Sequence, residues 1–471
     1  MHLTTRFFWR AAGAFMTVLL LAALVLSTAP TPAYAQAGPT PTPNDPVWRG
    51  FDAARKAIEA ERSVNLTLVR SYTFEQAQFE PGGIDVGCIT LDDPNAARKV
   101  YWGWIFTITD LRGQVYQARV SFDLKAVAVC EQVNAAVPAP APEGSTNLPA
   151  PVAGSAASGS FELGGHVLQL NANTVNLMRR SGMTWVKKQY RYNLGDGTGT
   201  IAGWLQDARA NGFKLLVGIV GQPSQMGDFD GYISRYAQFV GEVAALGVDA
   251  IEVWNEPNID REWPTGQVNG ANYTRLLAAA FNAIKSRRPE TLVISGAPAP
   301  TGFFGAAGCN PNGCNDDVFM QQMAAAGAAQ YLDYVGLHYN EGIVAPSANS
   351  GDPRNYYPTR YFSQMLNRGL ASFPGKQAAW TELGYLSGED LGRPIPAGFA
   401  WAQNVTIAQH AAWLAEAATL SAQSGRVRMM IVWNVDFPDM GGDDPMGGYA
   451  MFRRNGTCPA CDALGRVMGV R

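Results

Sequence analysis

The chain has 471 residues, 47% of them apolar and 16% charged, enough to bury a large core and unlike a disordered protein. Its net charge of −3, with no long basic run, lacks the electrostatic footprint of a nucleic-acid binder, so nucleic acid is not expected as a partner.

The N-terminus has three parts: Arg6 and Arg10, an apolar run over 11–26, and Ala33-Tyr34-Ala35 as a small-residue cleavage site. This is the form of an export signal. Residues 1–35 are expected to be removed, leaving Gln36 first, no stable membrane span, and a secreted or cell-surface protein. An uncleaved anchor is the alternative, but the run is shorter than the roughly 18 apolar residues a spanning helix needs. All six cysteines follow this segment. In an oxidising compartment, proximity and shared domain pair Cys88 with Cys130, Cys309 with Cys314, and Cys458 with Cys461. Cys458-Pro459-Ala460-Cys461 also has redox or half-zinc spacing, without the second ligand pair or thioredoxin-like context such a site needs.

Residues 46–133 predict a small α+β domain closed by one disulfide. Phe51, Ala54, Ala57 and Ile58 follow the helical period. Runs at 64–72, 101–108, 114–122 and 126–130 are rich in β-branched and aromatic residues, with Asp110-Leu111-Arg112-Gly113 as a turn between two of them. A helix, Gly87-Cys88, a Tyr/Trp-rich hairpin and a late cysteine resemble small accessory domains of bacterial exported proteins; spacing, partner binding and surface attachment are all open roles. Residues 134–160 are rich in Pro, Ala and Ser and read as an extended linker.

From 161 to 471, apolar runs alternate with helical stretches at βα intervals. Eight strands are predicted at 161–163, 185–189, 214–219, 250–254, 292–295, 334–338, 378–381 and 429–433. Helices are predicted at 232–246, 273–286, 318–325 and 402–424, among others. The fold class is α/β, a (β/α)8 TIM barrel, with a doubly wound open sheet as its structural rival.

In such a barrel the reacting groups sit at the C-terminal ends of the strands. Strand four ends in Trp254-Asn255-Glu256-Pro257-Asn258 and strand seven in Trp380-Thr381-Glu382-Leu383-Gly384-Tyr385. Strand six ends in His338-Tyr339, strand eight in Trp433-Asn434, and strand two in Gln189-Tyr190-Arg191. Glycosidic cleavage needs one carboxyl to protonate the leaving oxygen and another to attack or stabilise the anomeric carbon, and Glu256 and Glu382 face each other across the mouth. Trp433 offers a ring for a sugar face, and Asn255 is placed for the hydroxyl beside the reacting carbon. Glu252 is the rival carboxylate; it shares a strand face with Glu256 and has Lys187 as a possible buried ion-pair partner.

Trp-Asn-Glu-Pro at strand four with a glutamate ending strand seven resembles the clan A glycoside hydrolases, over the whole C-terminal domain. The resemblance implies Glu256 as acid/base beside Asn255, Glu382 as nucleophile, His338 and Tyr339 at the rim, and Trp433 as the sugar platform. It implies retaining cleavage of β-linked glycans without a cofactor. Gly448-Tyr449-Ala450-Met451-Phe452 and Gly456-Thr457-Cys458-Pro459-Ala460 look like the closing passage of xylosidase-like and cellulase-like members. Those members usually carry Lys-Pro-Ala-Tyr where this chain has Cys-Pro-Ala-Cys. Double displacement would require Glu256 to stay protonated near neutrality, favoured by apolar surroundings and the charge of Glu382, with the carboxyls about 5 to 5.5 Å apart. A binding protein that has lost turnover and a transglycosylase are the alternatives.

Gln189, Arg191 and Tyr385 are further candidate sugar contacts, and His166, Trp263, Tyr356 and Tyr357 are weaker ones. His410, among apolar helical residues, reads as core. Asp436, Asp439, Asp443 and Asp444 form an acidic loop without the spaced ligands of a calcium loop. Four histidines and no H-E-x-x-H argue against zinc, and no phosphate loop or G-x-S-x-G elbow is present. No metal is expected, and the partner is a carbohydrate acted on by a monomer.

Overall fold

The computed structural model describes residues 46–67, 69–79, 88, 101–121, 124–131, 148–152, 160–302, 304, 308–354, 357–439 and 443–470. The expected export signal, its cleavage site, most of the linker and Tyr356 lie outside the described residues.

Helix α1 (Pro46–Arg62) buries Phe51, Ala54 and Ile58 on one stripe. It covers an antiparallel meander of β1 (Val69–Phe79), β2 (Tyr101–Asp110), β3 (Val115–Ser121) and β4 (Val127–Val129). Trp104, Phe106 and Ile108 alternate along β2 to meet that stripe. The β2–β3 turn forms because Asp110 Oδ1 accepts from the backbone N–H groups of Arg112 and Gln114, both at 2.9 Å, while Gly113 takes φ +87°. The first strand differs from the predicted 64–72. Leu66 N–H is taken by Glu59 at 2.7 Å, and the ladder to β2 runs on to Phe79 opposite Tyr101, so strand pairing sets the limits where apolar content had suggested others.

The second architecture is an eight-stranded parallel barrel with helices outside it. In chain order it comprises β5 (Glu162–His166), α2 (Ala172–Arg180), β6 (Trp185–Arg191), α3 (Gly199–Ala210), β7 (Lys214–Val220), α4 (Phe229–Ala245) and β8 (Ala250–Val253). Next come α5 (Gly270–Arg287), β9 (Leu292–Ser295), a hairpin of β10 (Cys309–Asn310) and β11 (Gly313–Cys314), α6 (Asp316–Ala325) and β12 (Val335–Tyr339). The chain ends with α7 (Phe362–Leu370), β13 (Ala378–Leu383), α8 (Ile407–Ser424), β14 (Val427–Val432), α9 (Met446–Tyr449) and α10 (Pro459–Val467). Strand order is β12-β13-β14-β5-β6-β7-β8-β9, and a parallel bridge between Ile294 and Tyr334 brings the two edges together. That ring excludes the open-sheet rival.

Seven of the eight predicted barrel strands agree with observed ones to within two residues at each end, and the first, predicted at 161–163, runs three residues further, to His166. The predicted helix 402–424 is shortened to α8, because Thr406 and Gln409 form a reciprocal capping box that starts it at Ile407. Disulfides join Cys88 to Cys130, Cys309 to Cys314 and Cys458 to Cys461. Among the described residues no helix is long and apolar enough to cross a membrane.

The barrel interior is layered. Trp185, Leu216, Ala250, Ile294, Tyr334, Ala379, Met429 and Ile431 fill an apolar belt. At the N-terminal end of the strands, Glu162 pairs with Lys214 at 2.7 Å and with Arg428. Lys187, Glu252 and His338 are buried beyond the belt, towards the C-terminal ends.

The small sheet touches the barrel through Tyr72, whose ring meets Tyr357 edge-on at 5.4 Å, and through Arg368, which donates to the Arg70 carbonyl. Arg368 also pairs with Asp316 and Asp317 at 2.7 and 2.8 Å. Pro149 and Ala150 lie on the barrel: Tyr331 donates to the Pro149 carbonyl at 2.6 Å, and Asn282 to that of Ala150 at 3.0 Å.

Candidate active site

The exit of β8 is shaped by a backbone that ordinary residues avoid. Trp254 and Glu256 take φ values of +76° and +45°, a conformation that costs a non-glycine residue about 1–3 kcal/mol. The surroundings hold it. Trp254 N–H donates to the Ile219 carbonyl at 3.0 Å and Glu256 N–H to that of Ala297 at 2.9 Å. The Trp254 indole donates to the Glu262 carbonyl at 2.8 Å. Asn258 is fully buried, accepting from Ala299 N–H at 2.7 Å and donating to the Cys314 carbonyl at 3.0 Å. Gly296 permits the close approach of β9, since a Cβ there would lie 2.6 Å from the Val253 carbonyl oxygen.

The strained turn presents Glu256 to His338, at the end of β12. His338 Nδ1 is 3.2 Å from Glu256 Oε1 and 3.9 Å from Glu382 Oε2, while its Nε2 is 4.0 Å from Glu252 Oε1. One ring atom near both carboxylates places those two oxygens no more than about 7 Å apart. Burial alone would push the imidazole down, but Glu382, Glu256 and Glu252 outweigh it and raise His338 above its usual value.

Lys187, from β6, completes the floor. Its Nζ lies 2.8 Å from Glu252 Oε2 and 3.4 Å from Glu382 Oε1, and donates to the Thr381 carbonyl at 3.0 Å. Burial disfavours this ammonium, yet the two carboxylates hold its pKa above the ordinary lysine value. Glu252 is thus the partner of a buried cation. The Lys187–Glu252 pair has room because Gly218 stands beside it: a Cβ there would be 3.3 Å from Glu252 Oε2.

Glu256 departs from its expected state. Burial would raise its carboxyl, but the His338 hydrogen bond and the charges of Arg261 and His338 overcome this and hold it at about 2. Arg261 Nη2 sits 2.5 Å from Glu256 Oε2. Glu262 stands beside Arg261, its own carboxyl raised by burial that Arg191 only partly offsets. The resting carboxylate is therefore ionised, contrary to the expectation of a carboxyl kept protonated by Glu382.

Other candidates divide. Asn255 is buried with Oδ1 unpartnered, as is Gln189 Oε1, so both have spare acceptor capacity near the mouth. Trp433 is half-buried and braced edge-on by His166 at 4.9 Å and Phe437 at 5.3 Å. His166 is buried behind it, and burial with neighbouring cations pushes its pKa down. Arg191 is turned to Glu262 at 2.9 Å.

Tyr339 and Tyr385 lie behind the mouth. Both are fully buried, their rings 5.7 Å apart, and Tyr339 donates to the Arg360 carbonyl at 3.1 Å. Large rings at these positions fill the wall behind the site. Trp263 is likewise buried against Trp254 at 5.0 Å, and Tyr357 is taken by Arg368 and the small sheet. His410 is core, its Nε2 3.2 Å from the Tyr449 carbonyl.

The acidic loop has structural duties. Asp436 accepts from Leu168 N–H at 2.8 Å and the Thr174 hydroxyl at 2.9 Å, and Asp439 pairs with Arg393 at 2.5 Å. Sequence reasoning missed Arg261 and Glu262, which follow the motif in a charged stretch that reads as a solvated loop. It found Lys187 only as a partner for Glu252; the period-two alternation of β6 was the available signal.

No family model and no curated protein matches this sequence. Among solved structures it is similar to a family 39 glycoside hydrolase from the gut symbiont Bacteroides cellulosilyticus WH2, at 15% identity and TM-score 0.47, over 85% of this chain and 77% of that one. It is similar to a thermostable mutant of a xylanase from Cellvibrio japonicus at 15% identity and TM-score 0.42, over 67% and 99%. An endo-1,4-beta-mannanase from Rhizomucor miehei gives 14% and 0.41, over 66% and 95%. At such distances function has to be carried by the chain's own side chains.

Proposed function

We propose that this chain is a retaining glycoside hydrolase for β-linked glycans, with Glu382 as nucleophile and Glu256 as acid/base. The observation that carries the reading is the convergence of Glu256 and Glu382 on His338 Nδ1, at 3.2 and 3.9 Å, at the C-terminal mouth of a parallel barrel. Glu382 attacks the anomeric carbon while Glu256 gives a proton to the leaving oxygen; Glu256 then takes a proton from the water that releases the sugar. Lys187 and His338 fix the nucleophile by touching separate oxygens. Trp433 stacks on the sugar, and Asn255 bonds the hydroxyl next to the reacting carbon.

The same reading includes export with removal of 1–35, an accessory role for 46–133, a linker over 134–160 and a catalytic domain over 161–471. Three disulfides favour an oxidising compartment. The test is turnover of a panel of aryl β-glycosides and β-glycans by the mature protein, Glu382→Ala and Glu256→Ala. Glu382→Ala should abolish turnover. Glu256→Ala should keep activity on activated aryl glycosides and form a β-glycosyl azide when azide is added. A wild-type protein that binds glycans and cleaves none would make it a carbohydrate-binding barrel.

A further inference from the structure

Both oxygens of the Glu256 carboxylate are engaged by basic side chains: Oε1 faces His338 at 3.2 Å, and Oε2 accepts from Arg261 at 2.5 Å. A general acid must turn one oxygen, with its proton, to the leaving oxygen. One contact therefore has to open in each turnover. The two partners differ in freedom. His338 is fully buried on β12 among Glu252, Glu256 and Glu382. Arg261 sits on the loop between β8 and α5 with its side chain 66% exposed. It also has a second anion within reach, since its Nε is 3.7 Å from Glu262 Oε1, and Glu262 Oε2 is anchored by Arg191 at 2.9 Å.

We propose that Arg261 is a latch, a positioning residue that covers the acid/base oxygen in the resting site and is displaced onto Glu262 by the aglycone side of an entering glycan. This rests on the hydrolase reading above. Once Arg261 has moved, Glu256 takes up a proton from solvent hydronium, replacing the one it released to solvent after the preceding turnover. It delivers that proton to the glycosidic oxygen as the bond to the anomeric carbon breaks, and the guanidinium keeps its charge throughout.

The direction of the effect follows from the groups around Glu256. His338 faces it from β12 and Glu382 from β13, with Lys187 of β6 beyond Glu382. Arg261 and Glu262 face it from their loop, and Asp444, after β14, lies in the field of Arg261. Removing Arg261 takes away its charge and hydrogen bond and leaves His338 alone to hold the carboxyl down against burial, so the carboxyl rises. The basic limb of the kcat/KM profile, which reports the acid in the free enzyme, then moves to higher pH.

The experiment follows the carboxyl carbon of Glu256 by 13C NMR across pH, its signal assigned by loss in Glu256→Gln, in wild type, Arg261→Met and Arg261→Lys. The Glu256 midpoint should rise by at least about one pH unit in Arg261→Met and return most of the way in Arg261→Lys. In kinetics the basic limb should rise alongside it. Glycosides with poor leaving groups should respond, whereas dinitrophenyl glycosides, which need little acid help, should not. An unmoved midpoint in Arg261→Met overturns the latch, as does an equal loss of kcat on both leaving groups with an unmoved limb. If the wild type turned over no glycoside, the hydrolase reading would fall, and the NMR titration would still decide whether Arg261 governs Glu256.

Discussion

Replacing Lys187 with methionine keeps the volume and removes the one lysine that touches both Glu252 and Glu382. Its contacts at 2.8 and 3.4 Å are each worth about 5 to 6 kcal/mol of attraction at an effective dielectric near 20. Several kcal/mol per buried ion offsets that gain. Lys187→Met forfeits the attraction and leaves two buried carboxylates short of a cation, so the net loss should be about 3–5 kcal/mol. Adding Glu252→Gln removes one orphaned charge and should recover at least about half of it. The assay is urea unfolding with disulfides intact, comparing midpoints at constant slope for wild type, both single variants and the double variant. A loss below about 1 kcal/mol in Lys187→Met, or a double variant as unstable as the two singles combined, would refute the idea of one coupled ionic floor.

Trp433→Ala should raise KM about tenfold on oligosaccharides while leaving the fold intact, as measured by kinetics and circular dichroism. Asn255→Ala should lower kcat by about a hundredfold or more on natural glycans, with a smaller loss on 2-deoxy substrates. Removing Cys88 and Cys130, 42 residues apart, should cost about 4 kcal/mol, against about 1.5 kcal/mol for Cys458 and Cys461, 3 apart, in thermal unfolding. For Glu162, burial would raise the carboxyl, but Lys214 and Arg428 hold it at about 2. Its folded value lies below the unfolded one, so its contribution is present above about pH 4.5 and is lost as pH falls towards 2. Glu162→Gln should flatten acid unfolding in that window.

The barrel was legible because its strands are short apolar runs that must be buried on both faces, and the sequence spaces them for helices between. The glutamates were legible because each ends such a run. What escaped was set by packing in three dimensions. Nothing local to Tyr339 or Tyr385 says that their rings fill the wall, nor that Tyr357 turns to the small sheet. Arg261 lies five residues beyond Glu256, so its contact depends on the unusual path of the backbone between them.

That path has an evolutionary consequence. A glycine at residue 256 would relax the backbone, so the gentlest exchange for the fold is also the one that deletes the carboxylate. Mutation at this position runs downhill towards an inert protein, and glutamate can persist there only while selection for its side chain outweighs the stability forgone. In a collection of sequences carrying this barrel, residue 256 would separate lineages still under that selection from those released from it, long before the rest of the mouth had decayed.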